Sequence, residues 1–76
     1  MQQFFEYIIK NLVDAPSLVN IQCFEGQRGT IVEVRVAKED IGKVVGHQGR
    51  TIQALRRLAM MVGSRLGRHI RLELVE

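Results

Sequence analysis

Cysteine occurs once in these 76 residues, proline once and tryptophan not at all. The lone thiol, Cys23, has no partner for an internal disulfide and no neighbouring metal ligand, which argues against a disulfide-stapled extracellular scaffold and against a metal centre. A reducing compartment is expected, with Cys23 as a buried strand residue. No apolar run approaches the length that spans a bilayer. The opening Met1-Gln2-Gln3-Phe4-Phe5-Glu6 lacks the basic stretch and small-residue cleavage site of a secretory signal. A cytoplasmic protein with no membrane partner is therefore expected. Aromatic residues are limited to three Phe and one Tyr. Successive base-stacking platforms need more of them near basic residues, so any contact with nucleobases is expected to be mainly aliphatic. Acidic residues are missing altogether between Ile41 and Leu72, where Lys43, Arg50, Arg56, Arg57, Arg65, Arg68 and Arg71 all fall.

What is present is an ordinary globular composition, 46% hydrophobic and 25% charged. At this length one domain, residues 1–76, is expected, held by a compact apolar core. The formal net charge is only +3, yet its concentration in one acid-free stretch points to a polyanion-facing surface. A merely solubilising basic face is the plainer reading of the same charges.

From Gln2 to Val13 the apolar residues Phe4, Phe5, Ile8, Ile9, Leu12 and Val13 recur at helical spacing until Asp14-Ala15-Pro16 ends the run. Val19, Ile21 and Cys23 then alternate with polar residues, Gly26 to Gly29 offers a turn, and Val32, Val34 and Val36 alternate again, as in a hairpin with one buried face. Glu39 and Asp40 stand where a helix N-terminus favours negative charge, ahead of a short helix from Ile41 to Val45. Beyond Gly49, the positions Ile52, Leu55, Ala59 and Val62 predict the longest helix, with Gly63 as its stop. Ile70, Leu72 and Leu74 complete the pattern as a third strand. The order is helix, strand, strand, helix, helix, strand, an α+β fold with a three-stranded sheet covered by helices on one face.

Gly46-x-x-Gly49 joins two helical segments. Glycines there permit backbone geometry denied to other residues and let a second backbone approach closely. The second also opens a helix, whose N-terminal amides and dipole attract phosphate. Alone, the spacing is a weak signal, because a purely structural turn between helices needs glycine equally. Its setting is Ile41-Gly42-Lys43-Val44-Val45-Gly46-His47-Gln48-Gly49-Arg50-Thr51-Ile52, which resembles the signature of KH domains. The order of elements resembles the type II KH arrangement over essentially the whole chain, and the length is most similar to the stand-alone bacterial KH proteins of the KhpA type.

That resemblance implies a single-stranded RNA-binding protein, an RNA chaperone or post-transcriptional regulator, in which the glycine loop clamps the backbone of about four nucleotides. It implies an RNA-binding set of Ile41, Gly42, Lys43, Val44, Val45, Gly46, His47, Gln48, Gly49, Arg50 and Ile52, and it allows a homodimer or a heterodimer with a second KH-containing protein. Ile41, Val44, Val45 and Ile52 are candidates for an apolar groove floor. Periodicity alone favours the core for Ile52 and leaves Val45 open. His47 and Gln48 are neutral where the family often has basic residues, so Lys43 and Arg50 must supply phosphate attraction.

No catalysis is expected, since the loop has no serine or cysteine nucleophile and the basic stretch no carboxylate base. No cofactor or metal is expected, as His47 and His69 lack companions. His69 is expected at a strand edge. Arg56, Arg57, Arg65, Arg68 and Arg71 extend the basic surface, and Met60 and Met61 are expected to fill gaps in the core. The competing function is a protein-interaction module that keeps the KH fold but binds another polypeptide. Backbone clamping by itself leaves RNA and single-stranded DNA open.

Overall fold

The computed structural model describes residues 1–76. Helix α1 (Gln2–Lys10) leads through a 3-10 turn at Pro16–Leu18 into β1 (Asn20–Glu25) and β2 (Thr30–Arg35). Then follow a 3-10 turn at Lys38–Asp40, α2 (Ile41–Val45), a third 3-10 turn at His47–Gly49, α3 (Arg50–Leu66) and β3 (Ile70–Leu74). The expected order of elements is thus the observed one.

The sheet runs β1-β2-β3, with β1 antiparallel and β3 parallel to β2. The parallel pairing follows from the intervening helices, which form the crossover that two parallel neighbours require. Its register sets Ile21 beside Val34, Cys23 beside Val32, Val32 beside Leu72 and Val34 beside Leu74 on one face. Strand alternation leaves Gln22, Phe24, Ile31, Glu33, Arg71 and Glu73 for the other. Phe5 and Ile9 of α1, Val44 of α2, and Ile52, Leu55 and Ala59 of α3 close the core over the inner face. Burying side chains of this kind contributes roughly 1.5–3 kcal/mol each relative to exposure.

Four details differ from the expectations. Helix α1 stops at Lys10 rather than Val13, because the Asn11 side chain donates to the Tyr7 carbonyl at 2.7 Å and ends the ladder. Leu12 and Val13 still pack against the core from the following turn. Gly63 does not stop α3. It is buried inside the helix, where a Cβ would run into the Arg68 carbonyl and Ile70, and the left-handed cap falls on Gly67 at φ 69°. Met60 and Met61 lie exposed on α3, because the core stripe of that helix runs through Ile52, Leu55, Ala59 and Gly63. Cys23 is half-buried on the inner face of an edge strand, and burial pushes its thiol above the ordinary range.

Candidate nucleic-acid interface

The turn between α2 and α3 is built from backbone conformations that exclude most residues. Gly46 sits at φ 79°, ψ 176°, a region open essentially to glycine, and a Cβ there would collide with the Thr51 hydroxyl. Gln48 and Gly49 follow in the left-handed region at φ 56° and φ 73°. Around Gly49 there is open space, so only its dihedral calls for glycine. The turn is held by Gly46 N–H donating to the Gly42 carbonyl at 2.8 Å and Gly49 N–H to the Gly46 carbonyl at 3.2 Å. His47 and Gln48 project into solvent, and Arg50 donates to the Gln48 side chain at 3.3 Å. No side chain caps the 17-residue α3. Its positive dipole end is therefore presented at an exposed, strained loop.

The rest of the expected site divides. Ile41 and Val45 remain partly exposed beside the turn, and Gly42 is open to solvent. Val44 is fully buried and Ile52 only 7% exposed, both within the core. Lys43 does not extend freely toward the loop. Its ammonium lies 2.9 Å from Asp14 and 3.7 Å from Asp40, and the bond to Asp14 leads the interactions that raise its pKa. Arg50 is the cation next to the turn that makes no ion pair.

Asp40 has a role that its position in the sequence conceals. Its side chain turns inward and accepts the N–H groups of Asp14 at 3.2 Å and Ala15 at 3.0 Å, fastening the α1–β1 connection to the start of α2. Burial by itself would push this carboxyl upward. The two amides and the Lys43 ammonium together outweigh burial and hold it below the ordinary carboxylate range. The one legible signal was an acidic residue directly before an aliphatic helix, which helix-end electrostatics explains equally well.

A second feature lies on the same side of α3. Because β3 pairs only with β2, its other edge is free, and a cleft of about 300 Å³ runs between that edge and the helix. Arg56, Met60, His69, Arg71 and Leu72 line it, together with Glu73, and Arg56 reaches the Leu72 carbonyl at 3.4 Å. Gly49, Gln53, Arg56 and Met60 follow at spacings of four, three and four, which sets them along one stripe of helix. At 1.5 Å per residue the stripe carries the surface about 16 Å from turn to cleft. In sequence Arg56 and Arg71 are part of a general basic surface and Met60 a core candidate, because the edge they share exists only once β3 is docked.

Comparison with known proteins agrees with this architecture. Residues 2–74 match the family described as KhpA/KhpB, KH domain. The RNA-binding protein KhpA of Chlamydia pneumoniae is 49% identical over 76 residues, covering 100% of this chain and 97% of that protein. The proteins of the same name from Streptomyces coelicolor and Borreliella burgdorferi are 38% and 35% identical, covering 100% and 97% of this chain and 92% and 90% of theirs. No solved structure matches. A family match across nearly every residue, on a chain folded with the glycine turn between two helices and a parallel β2–β3 pair, means that this chain belongs to the KhpA/KhpB KH-domain family.

Proposed function

We propose that this protein binds single-stranded RNA in the cytoplasm, as an RNA chaperone or post-transcriptional regulator. The phosphate backbone docks on Gly46-His47-Gln48-Gly49, and the bases lie along Ile41, Val45 and the cleft beside β3. The observation that carries this reading is the turn itself: three departures from ordinary backbone geometry within four residues, at Gly46, Gln48 and Gly49, with His47 and Gln48 exposed to solvent, at the uncapped positive end of a long helix. Gln48 is the one non-glycine residue held at positive φ, and strain of that kind clusters at ligand-binding loops. The named activity of the KhpA relatives supports the same reading. Pairing with a second KH chain is compatible with it, and the exposed Met61 and Leu66 on α3 offer apolar surface for that purpose.

Substitution of both His47 and Gln48 by Asp tests the clamp. Both positions are exposed, and the left-handed conformation of Gln48 is one that Asp tolerates. Stability is expected to stay within about 0.5 kcal/mol of the parent. RNA affinity, measured by fluorescence anisotropy, is expected to fall at least about tenfold as two carboxylates face the docked phosphate. The parent should show a log–log salt slope of about −1.4 to −2.1, corresponding to two or three phosphates. Parental affinity in a normally folded double variant would reject the clamp and favour the protein-interaction module.

A further inference from the structure

Beyond the turn and cleft, the outer face of the sheet carries a patch that the clamp leaves unused. Phe24 is 51% exposed and Ile31 39% exposed, and they oppose each other across β1 and β2. Ile31 is in turn the register partner of Arg71 on β3. An exposed aromatic ring on a sheet face offers a platform on which an unpaired base can stack. Where β1 turns into β2, a cavity of about 430 Å³ opens beside this pair, and Gln27, Arg28, Ile31, His69 and Arg71 contribute to its walls. None of its lining residues is acidic. Arg28 makes no ion pair, while the neighbouring Glu25 is held by Arg68 at 3.3 Å and Glu73 by Arg71 at 2.9 Å.

This cavity and the cleft beside β3 share His69 and Arg71 in their walls. The two are consecutive stretches of one surface. We infer that single-stranded RNA leaving the cleft crosses His69 and Arg71 onto the hairpin, where Arg28 takes a phosphate and Phe24, backed by Ile31, stacks a base. The inference rests on the RNA-binding reading above and adds a second contact at the opposite end of the domain. Gly49 and Gly67 bound α3 at its two ends, about 27 Å apart at 1.5 Å per residue. With stacked nucleotides spaced about 3.4 Å apart, a strand touching both ends covers about eight nucleotides instead of four.

The experiment compares a tetranucleotide with a decanucleotide RNA of the same composition, on the parent chain, Phe24→Ala and Arg28→Glu. Both substituted positions are exposed, and thermal melting controls for folding. Tetranucleotide affinity is expected to be unchanged in both variants. Decanucleotide affinity should fall at least about fivefold with Phe24→Ala, the lower bound for loss of one stacked base. With Arg28→Glu it should fall comparably, and the salt slope should flatten by about 0.7. Folded variants that keep the parent's decanucleotide affinity and slope would overturn the inference while leaving the clamp intact. A parent that binds neither length would overturn the clamp and this extension together. If Phe24→Ala instead changes only the sedimenting mass of the protein, the patch is a protein contact and the inference fails.

Discussion

The two ends of α3 use the same residue type in different surroundings. Each end has one glycine that a Cβ would drive into its neighbours, Gly46 against Thr51 and Gly63 against Arg68 and Ile70. Each also has one glycine required only by its left-handed dihedral, Gly49 at φ 73° and Gly67 at φ 69°, with open space around it. At the C-terminal end the freed geometry is consumed internally. Arg68 N–H donates to the Gly63 carbonyl and Thr30 N–H to the His69 carbonyl, each at 2.8 Å, so the helix is sealed onto the sheet. At the N-terminal end the strain faces solvent and the helix carries no side-chain cap. Glycine spacing therefore announces unusual backbone. Whether that backbone is spent on packing or left facing solvent depends on what lies opposite.

Alanine at the two crowded glycines breaks this comparison most directly. Gly46→Ala combines a dihedral reserved for glycine with a collision, and is expected to cost about 3 kcal/mol and to weaken RNA binding of the molecules that remain folded. Gly63→Ala is expected to cost about 2 kcal/mol, the overpacking being partly offset by alanine's better helix propensity. Its folded fraction should bind RNA like the parent. Urea unfolding combined with anisotropy separates the two outcomes, and equal binding defects would mean that the ends are not functionally distinct.

Asp40→Asn sharpens the same contrast from the loop side, since Asp40 fixes the start of the helix that enters the turn. A melting temperature lower by about 5–10 °C is expected near neutral pH. Because the folded carboxyl lies below its ordinary value of 3.8, its contribution is complete well above that pH. It is lost as pH falls through the depressed folded value. Parent and variant melting temperatures should accordingly converge under acid, and a gap that persists at low pH would show that the second acceptor oxygen, not the charge, is what Asp40 supplies.

The smallest effect is expected from Lys43→Ala. Its ammonium is already engaged by Asp14 and Asp40, so RNA affinity should change less than about twofold and the salt slope by less than the roughly 0.7 expected for one phosphate contact. A full contact's change in slope would mean that the Asp14 pair opens when RNA binds.

Much of the fold was legible because the apolar positions repeat with the periods of helix and strand. Ile52, Leu55 and Ala59 mark one helical stripe, and Ile21, Val32, Val34, Ile70 and Leu72 mark one sheet face. The glycine turn was legible for a different reason, since its residues are contiguous and its geometry is local. Gly63 misled because a glycine late in a helix reads as a stop unless the strand packed against it is known. Met60 misled because a long helix has several apolar faces in sequence and only one that meets the sheet. Lys43 reads as a free cation because its partner Asp14 lies far earlier in the chain, on the connection after α1, and meets it only in the folded domain.

Sequence by itself determined the order of elements, the inward face of each strand, the acid-free basic stretch and the strained turn, all of which depend on neighbours within a few residues. Tertiary structure alone decided that Asp40 faces inward, that Lys43 is paired, and that β3 leaves a free edge toward Arg56 and Met60. It also brought Phe24 and Ile31 into line with Arg71 across three strands. Those placements depend on register and docking between segments far apart in the chain, and no local pattern of residues encodes which side chain will stand opposite another.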